Sequence, residues 1–281
     1  MKKWMAAFVL SMLIIPSMVQ WVYPFDHNKF DVILEQYVDE DGLVDYNGIA
    51  GDQRFSVYIE SLESATVETL SHDGQLAFWI NAYNAITIDK VIKWKPEKSV
   101  RETLIPGVWT STKFFTSREH VVAGRRMGPD DIEHEILRKQ FKDPRIHFAI
   151  ICASSSCPKL PGFAYTEENV QKKLEQETWK YMNSDRGIRI DRAENTIYLS
   201  KIFDWFQGDF IGKSGSVMNF IRPYLKEEVI SFLGREPKID YIPYNWALNA
   251  KEPVRYTVSG VSSVLWTFMC LRVQSRGSKL F

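Results

Sequence analysis

Gln75-Leu76-Ala77-Phe78-Trp79-Ile80-Asn81-Ala82-Tyr83-Asn84-Ala85-Ile86-Thr87-Ile88-Asp89-Lys90-Val91-Ile92 reads as one helix that is apolar on nearly every side. A surface helix keeps a polar face toward water, whereas one that is apolar all round must be covered all round. The stretch therefore predicts the central buried helix of a domain. Asn81 and Asn84 lie three residues apart on one face of it, beside Tyr83. Two carboxamides at that depth find hydrogen-bond partners or cost about 1–3 kcal/mol each. They position a substrate or a histidine, or they tie the helix to neighbouring backbone.

Outward from this helix, Asn28 to Tyr37 is amphipathic and Gly42 to Tyr46 reads as a short strand or turn. Phe114 to Arg126 alternates and turns near Arg118, which predicts a hairpin. Gly128-Pro129-Asp130-Asp131 starts a second helix, with proline at its first position and two acids at the positive end of the dipole. It runs to about Gln140. Arg145 to Ile151 reads as a strand, Thr166 to Met182 as a helix, and Gly187 to Leu199 as a hairpin. Helices at Ser214 to Tyr224 and Lys226 to Leu233 precede a last strand near Ile239 to Ile242. No repeat or low-complexity linker breaks residues 25–249. The expected fold is α+β (mixed α/β), a single domain with a central buried helix packed on a small, largely antiparallel sheet.

The 281 residues carry 35 Lys+Arg against 35 Asp+Glu, a balance that argues against a nucleic-acid partner. Three cysteines, Cys152, Cys157 and Cys270, are too few for a disulfide framework. Lys2 and Lys3 precede an uncharged run from Trp4 to Val22. Residues 1–22 therefore read as a signal peptide or as a signal anchor spanning the membrane through 4–22, with the remainder outside the cytoplasm, in a periplasm or held at the inner membrane. Residues 250–281 form a basic, partly apolar tail with no evident role.

Asp130 to Pro158 gathers Glu133, His134, His147, Cys152 and Cys157. In a strand from Arg145, His147 faces away from Cys152. The helix from Pro129 is ~17 Å long and the strand ~23 Å, so folding them antiparallel returns Cys152 to the helix start and His134. A thiol facing helix-end amides and an imidazole can ionise and attack a carbonyl or a disulfide. The alternative is a Cys152–Cys157 disulfide closing a four-residue loop. Asp130 or Asp131 with His134 could offer two metal ligands, but a third would have to arrive from elsewhere, as Cys152 or His147, and both acids suit the helix start. Glu133 and His134 diverge by ~100° on an α-helix and cannot chelate together. We assign no metal and no cofactor. Asp204-Trp205-Phe206-Gln207 reads as a cleft rim or a packed aromatic corner.

Phe78-Trp79-Ile80-Asn81-Ala82-Tyr83-Asn84-Ala85, Asp131-Ile132-Glu133-His134 with Leu137-Arg138, Asp143-Pro144-Arg145-Ile146-His147-Phe148-Ala149, Cys152-Ala153-Ser154-Ser155-Ser156-Cys157-Pro158, Ile202-Phe203-Asp204-Trp205 and Tyr244-Asn245-Trp246 together resemble the domain of unknown function 547 family. Asn245 stands where that pattern carries Asp, and the tail lies outside it. Bacterial members are typically exported. The resemblance implies no activity, but it does imply that Asn81, Asn84, Glu133, His134, Arg145, His147 and Cys152 sit in one domain and share a cleft. The expectation is a thiol-dependent hydrolase or acyl transferase using Cys152 and His134 on an unknown small molecule or peptide. Its rival is a non-catalytic extracytoplasmic binding or scaffold module stapled by Cys152–Cys157.

Overall fold

A computed structural model describes residues 24–101 and 111–254. The signal or anchor segment 1–22 and most of the tail, with Cys270, lie outside the described residues. Among the described residues, no helix is long and apolar enough to cross a membrane.

α1 (Asn28–Tyr37), α2 (Tyr46–Ala50) and α3 (Gln53–Glu63) pack around α4 (His72–Trp94). The Ser71 hydroxyl accepts from Gly74 N and caps α4, and Lys95, at φ 49°, ends it. Leu76, Phe78, Ile80, Ile86 and Val91 are all buried, so the helix has no wet face from Leu76 to Ile88. Each such aliphatic or aromatic side chain contributes about 1.5–3 kcal/mol on burial. The fold is a single mixed α+β domain. Its sheet is divided in two, and the nearest neighbours of α4 are helices.

α5 (Ser111–Thr116) takes Phe114 and Phe115 out of the expected hairpin. The hairpin is shorter, β1 (His120–Val122) with β2 (Arg125–Met127). It turns at Ala123 and Gly124, with φ 48° and 70°, rather than near Arg118. Two consecutive left-handed residues give the tight turn that matches strand twist.

Asp131–Phe141 is a π-helix, not an α-helix. The expected strand from Arg145 to Ile151 is a 3-10 helix, Pro144–Phe148. Pro144 presets the first helical φ and the Asp143 carboxylate caps Arg145 N, and these local signals outweigh the apolar alternation.

α6 (Val170–Met182) leads into β3 (Ile188–Asp191) and β4 (Thr196–Leu199). Antiparallel β3–β4 pairs Ile190 with Ile197, and β5 (Lys238–Tyr241) adds in parallel with Ile239 opposite Ile197. Between β4 and β5 lie α7 (Ile202–Trp205), α8 (Gln207–Ser214), α9 (Val217–Ile221) and α10 (Glu227–Leu233). Two core clusters result. One surrounds α4 and the π-helix. The other joins Phe148 and the end of α6 to β3, β4 and α7–α10.

Candidate functional site

The seam between the two cores holds a cleft of about 190 Å³. The Cys152 loop is fixed from both sides. From α4, Asn84 Nδ2 donates to Ala149 O at 2.9 Å and Asn84 Oδ1 accepts from Ile151 N at 2.9 Å. From the far end of the chain, residues 244–249 run along the loop: Ser155 N donates to Ala247 O, Asn249 N to Ala153 O and Asn245 N to Ser156 Oγ. Between these restraints the buried Ala153 adopts φ 56°. A left-handed alanine costs about 1–2 kcal/mol.

That turn places four polar groups together. Cys152 Sγ lies 3.0 Å from Ser154 Oγ, 3.1 Å from the Tyr244 hydroxyl and 3.0 Å from Cys157 Sγ. Both cysteines are free thiols. Hydrogen bonding from the Cys157 thiol, then from the Ser154 and Tyr244 hydroxyls, outweighs the cost of burial. Together they bring the Cys152 thiol down from 9.0 to about 7. Burial pushes Cys157 upward, so Cys152 ionises first.

The opposite wall comes from the π-helix. Gly128, just before it, allows a close approach: a Cβ there would lie 2.7 Å from Ser117 O. Asp130, Glu133 and His134 all line the cleft. This π-helix, with its i→i+5 hydrogen bonds, brings the consecutive Glu133 and His134 to one cavity. Burial, then the charge of Asp130, raises the Glu133 carboxyl to about 8, so it is neutral at pH 7. Its Oε2 is 3.3 Å from the Tyr83 hydroxyl.

Under the cleft runs a polar network. His147 Nε2 lies 2.8 Å from Asp209 Oδ2, while its Nδ1 faces Glu133 Oε1 at 3.9 Å. Arg138 donates to both Asp209 oxygens and, at 2.9 Å, to His134 Nδ1. Burial opposes ionisation of Asp209, but the bonds from His147 and Arg138 hold it well below the usual carboxylate range. Burial pushes both imidazoles down, so both are neutral at pH 7. The His147 ring stacks on Phe206 at 4.0 Å.

Cys152, His134, Glu133 and His147 thus line one cavity, with Cys157 beside them. His147 was expected to face away from Cys152; the 3-10 helix removes the alternation on which that rested. Asn81 and Asn84 do not line the cleft. Asn81 exchanges hydrogen bonds with Tyr165 backbone, at 2.7 and 3.0 Å, as Asn84 does with the Cys152 loop. The face of α4 that reaches the cleft is that of Tyr83. Arg145 is spent on Asp143 and Glu175. Asp131 is engaged by Arg118 and by Gly128 N, and it does not line the cleft. Trp205 and Phe206 do form the rim. Sequence reasoning missed Asp209, and it gave Arg138 and Tyr244 no role beyond their places in the Leu137-Arg138 and Tyr244-Asn245-Trp246 motifs.

Residues 67–182 match the profile of the family described as Protein of unknown function, DUF547. No curated protein and no solved structure matches the chain.

Proposed function

We propose, for a chain whose residues 67–182 match the family described as Protein of unknown function, DUF547, that the cleft is the active site of a thiol-dependent hydrolase or acyl transferase. The observation that carries this reading is Cys152 Sγ, held within 3.1 Å of the Ser154 and Tyr244 hydroxyls and the Cys157 thiol, in a cavity that Glu133 and His134 also line. A thiolate, not a thiol, is the nucleophile. Cys152 Sγ attacks an acyl carbon, a C–S bond forms, and the bond to the leaving oxygen breaks. Glu133 gives that oxygen its proton. Water then attacks the thioester, passes a proton back to the Glu133 carboxylate, and the sulfur leaves as thiolate; an alcohol in place of water makes the step a transfer. Arg138 occupies His134 Nδ1, which leaves the ring proton on Nε2 to donate to the carbonyl oxygen. In this scheme Cys152 needs no histidine base, because hydroxyls and the second thiol stabilise its charge.

Hydrolysis of p-nitrophenyl acetate with an initial burst of one nitrophenol per chain tests the reading. Equal rates for the wild type and Cys152→Ala would overturn it.

The 3.0 Å separation of the two sulfurs favours a second reading. With a small-molecule disulfide as oxidant, Cys152 and Cys157 lose two protons and two electrons and close a bond, and the domain acts as a binding module. Thiol labelling with and without reductant separates the two: a native protein that labels only after reduction supports the staple. Export through residues 1–22 remains part of the proposal and makes the staple chemically accessible.

A further inference from the structure

The cleft also constrains what can enter it. At about 190 Å³ it exceeds the ~150 Å³ cavity that accommodates benzene, yet falls below the ~300 Å³ lower bound of ordinary ligand pockets. One ring or a short chain fills it, and the remainder of a substrate stays outside. Its walls include Phe115, Ile150, Ile202 and Phe206, and none of the described residues lining it is lysine or arginine. Its ionisable side chains are carboxylates, neutral imidazoles and the thiols, and the nearby Arg138 is already paired with Asp209, so an anion placed inside meets Asp130 and Cys152 with no lining cation. Outside, Trp205 stacks on Trp246 at 5.7 Å and 27°, and the ring of Tyr244 packs on both. Trp205 is 46% exposed and, unlike the equally exposed Trp179, it lines the mouth of the cleft within a cluster of three aromatic rings. Arg101 covers one face of Trp246, which leaves Trp205 as the open platform. Tyr244 joins the two parts, with its ring in the platform and its hydroxyl on Cys152 Sγ.

Resting on the hydrolase or transferase reading, we infer that the cleft takes the uncharged, ring-sized acyl group of an ester, while Trp205, backed by Trp246, stacks against the part that stays outside. Such a site selects by size and charge of the acyl group.

Two measurements on the full chain test this separately from catalysis. In the first, p-nitrophenyl benzoate and hexanoate are turned over at least tenfold better in kcat/KM than the decanoate or the hemisuccinate. Equal values across the four esters would overturn the inference. In the second, calorimetric titration of Cys152→Ser, which lacks the thiolate, shows binding of benzamide and none of benzoate. Trp205→Ala added to that variant weakens N-phenylbenzamide, whose second ring stays outside, at least tenfold and leaves benzamide unchanged, whereas Trp179→Ala, an exposed tryptophan on α6 outside the cleft lining, changes neither. No benzamide binding, or equal affinity for benzoate, would overturn the inference. Benzamide binding without ester turnover by the wild type would retain the size and charge selection and remove the hydrolase reading.

Discussion

The two cores of the domain contribute to the cleft in different ways. The core around α4 and the π-helix, which falls within residues 30–174 and overlaps the family match, supplies Cys152, Glu133, His134 and Asp130. The second core and the segment after it supply Phe206, Trp205, Tyr244 and Trp246, all beyond residue 182. Reactive groups come from one side and surfaces that select from the other. The two are coupled at three points: His147 and Arg138 on Asp209, Phe206 on His147, and Tyr244 on Cys152. The division teaches where a substitution should act on chemistry and where on recognition.

The largest expected effect lies on the chemical side. Cys152→Ala should lower ester turnover by about 10³-fold or more with the circular dichroism spectrum unchanged. Glu133→Gln should follow, at about 10²-fold or more in kcat. The wild-type profile is a bell that rises through about pH 7 as Cys152 ionises and falls through about pH 8 as Glu133 loses its proton. Glutamine should remove the alkaline limb and leave the acid limb. The same substitution acts on stability. A carboxyl raised from 4.5 to about 8 favours the folded state at low pH, and that contribution is lost as pH rises through about 8. Glu133→Gln should flatten that decline in denaturant titrations. A slope of the opposite sign would mean that the carboxyl is ionised in the folded protein.

The seam comes next. Asp209→Asn leaves Arg138 and His147 without their anion and should cost about 1–3 kcal/mol by urea unfolding. Asn81→Ala and Asn84→Ala each orphan two backbone groups and should cost about 2–4 kcal/mol. Only Asn84→Ala should also change the alkylation rate of Cys152, because only Asn84 holds that loop. Equal effects on the thiol would erase the distinction between the two clamps. The smallest effect is that of Tyr244→Phe, which removes one donor to the sulfur and should move the thiol midpoint upward without loss of fold.

Much of the α4 side was legible in sequence because its signals are local. The all-apolar run and the Asp130-Asp131 helix start are statements about neighbours in the chain. Glu133, His134 and Cys152 were readable as reactive residue types in a short span. The helix type was not readable, since nothing in Asp131 to Phe141 announces a π-helix, and with an α-helix Glu133 and His134 diverge. The strand assigned to Arg145–Ile151 failed because Asp143-Pro144 is a helix start written over an alternating pattern. Asp209 and Tyr244 were out of reach because their roles depend on partners 62 and 92 residues away. Asn81 and Asn84 were visible as buried carboxamides, but whether such a group faces a ligand or a backbone is decided by the chain that packs on it.

The account rests on Cys152 being a thiolate near neutral pH. The rate of iodoacetamide alkylation of Cys152 in the reduced native protein, followed from pH 5 to 10 by mass spectrometry of the Cys152 peptide, measures this directly. The account predicts a midpoint near 7, displaced upward in Tyr244→Phe. A midpoint at the ordinary thiol value of 9.0, unchanged by that substitution, would contradict it.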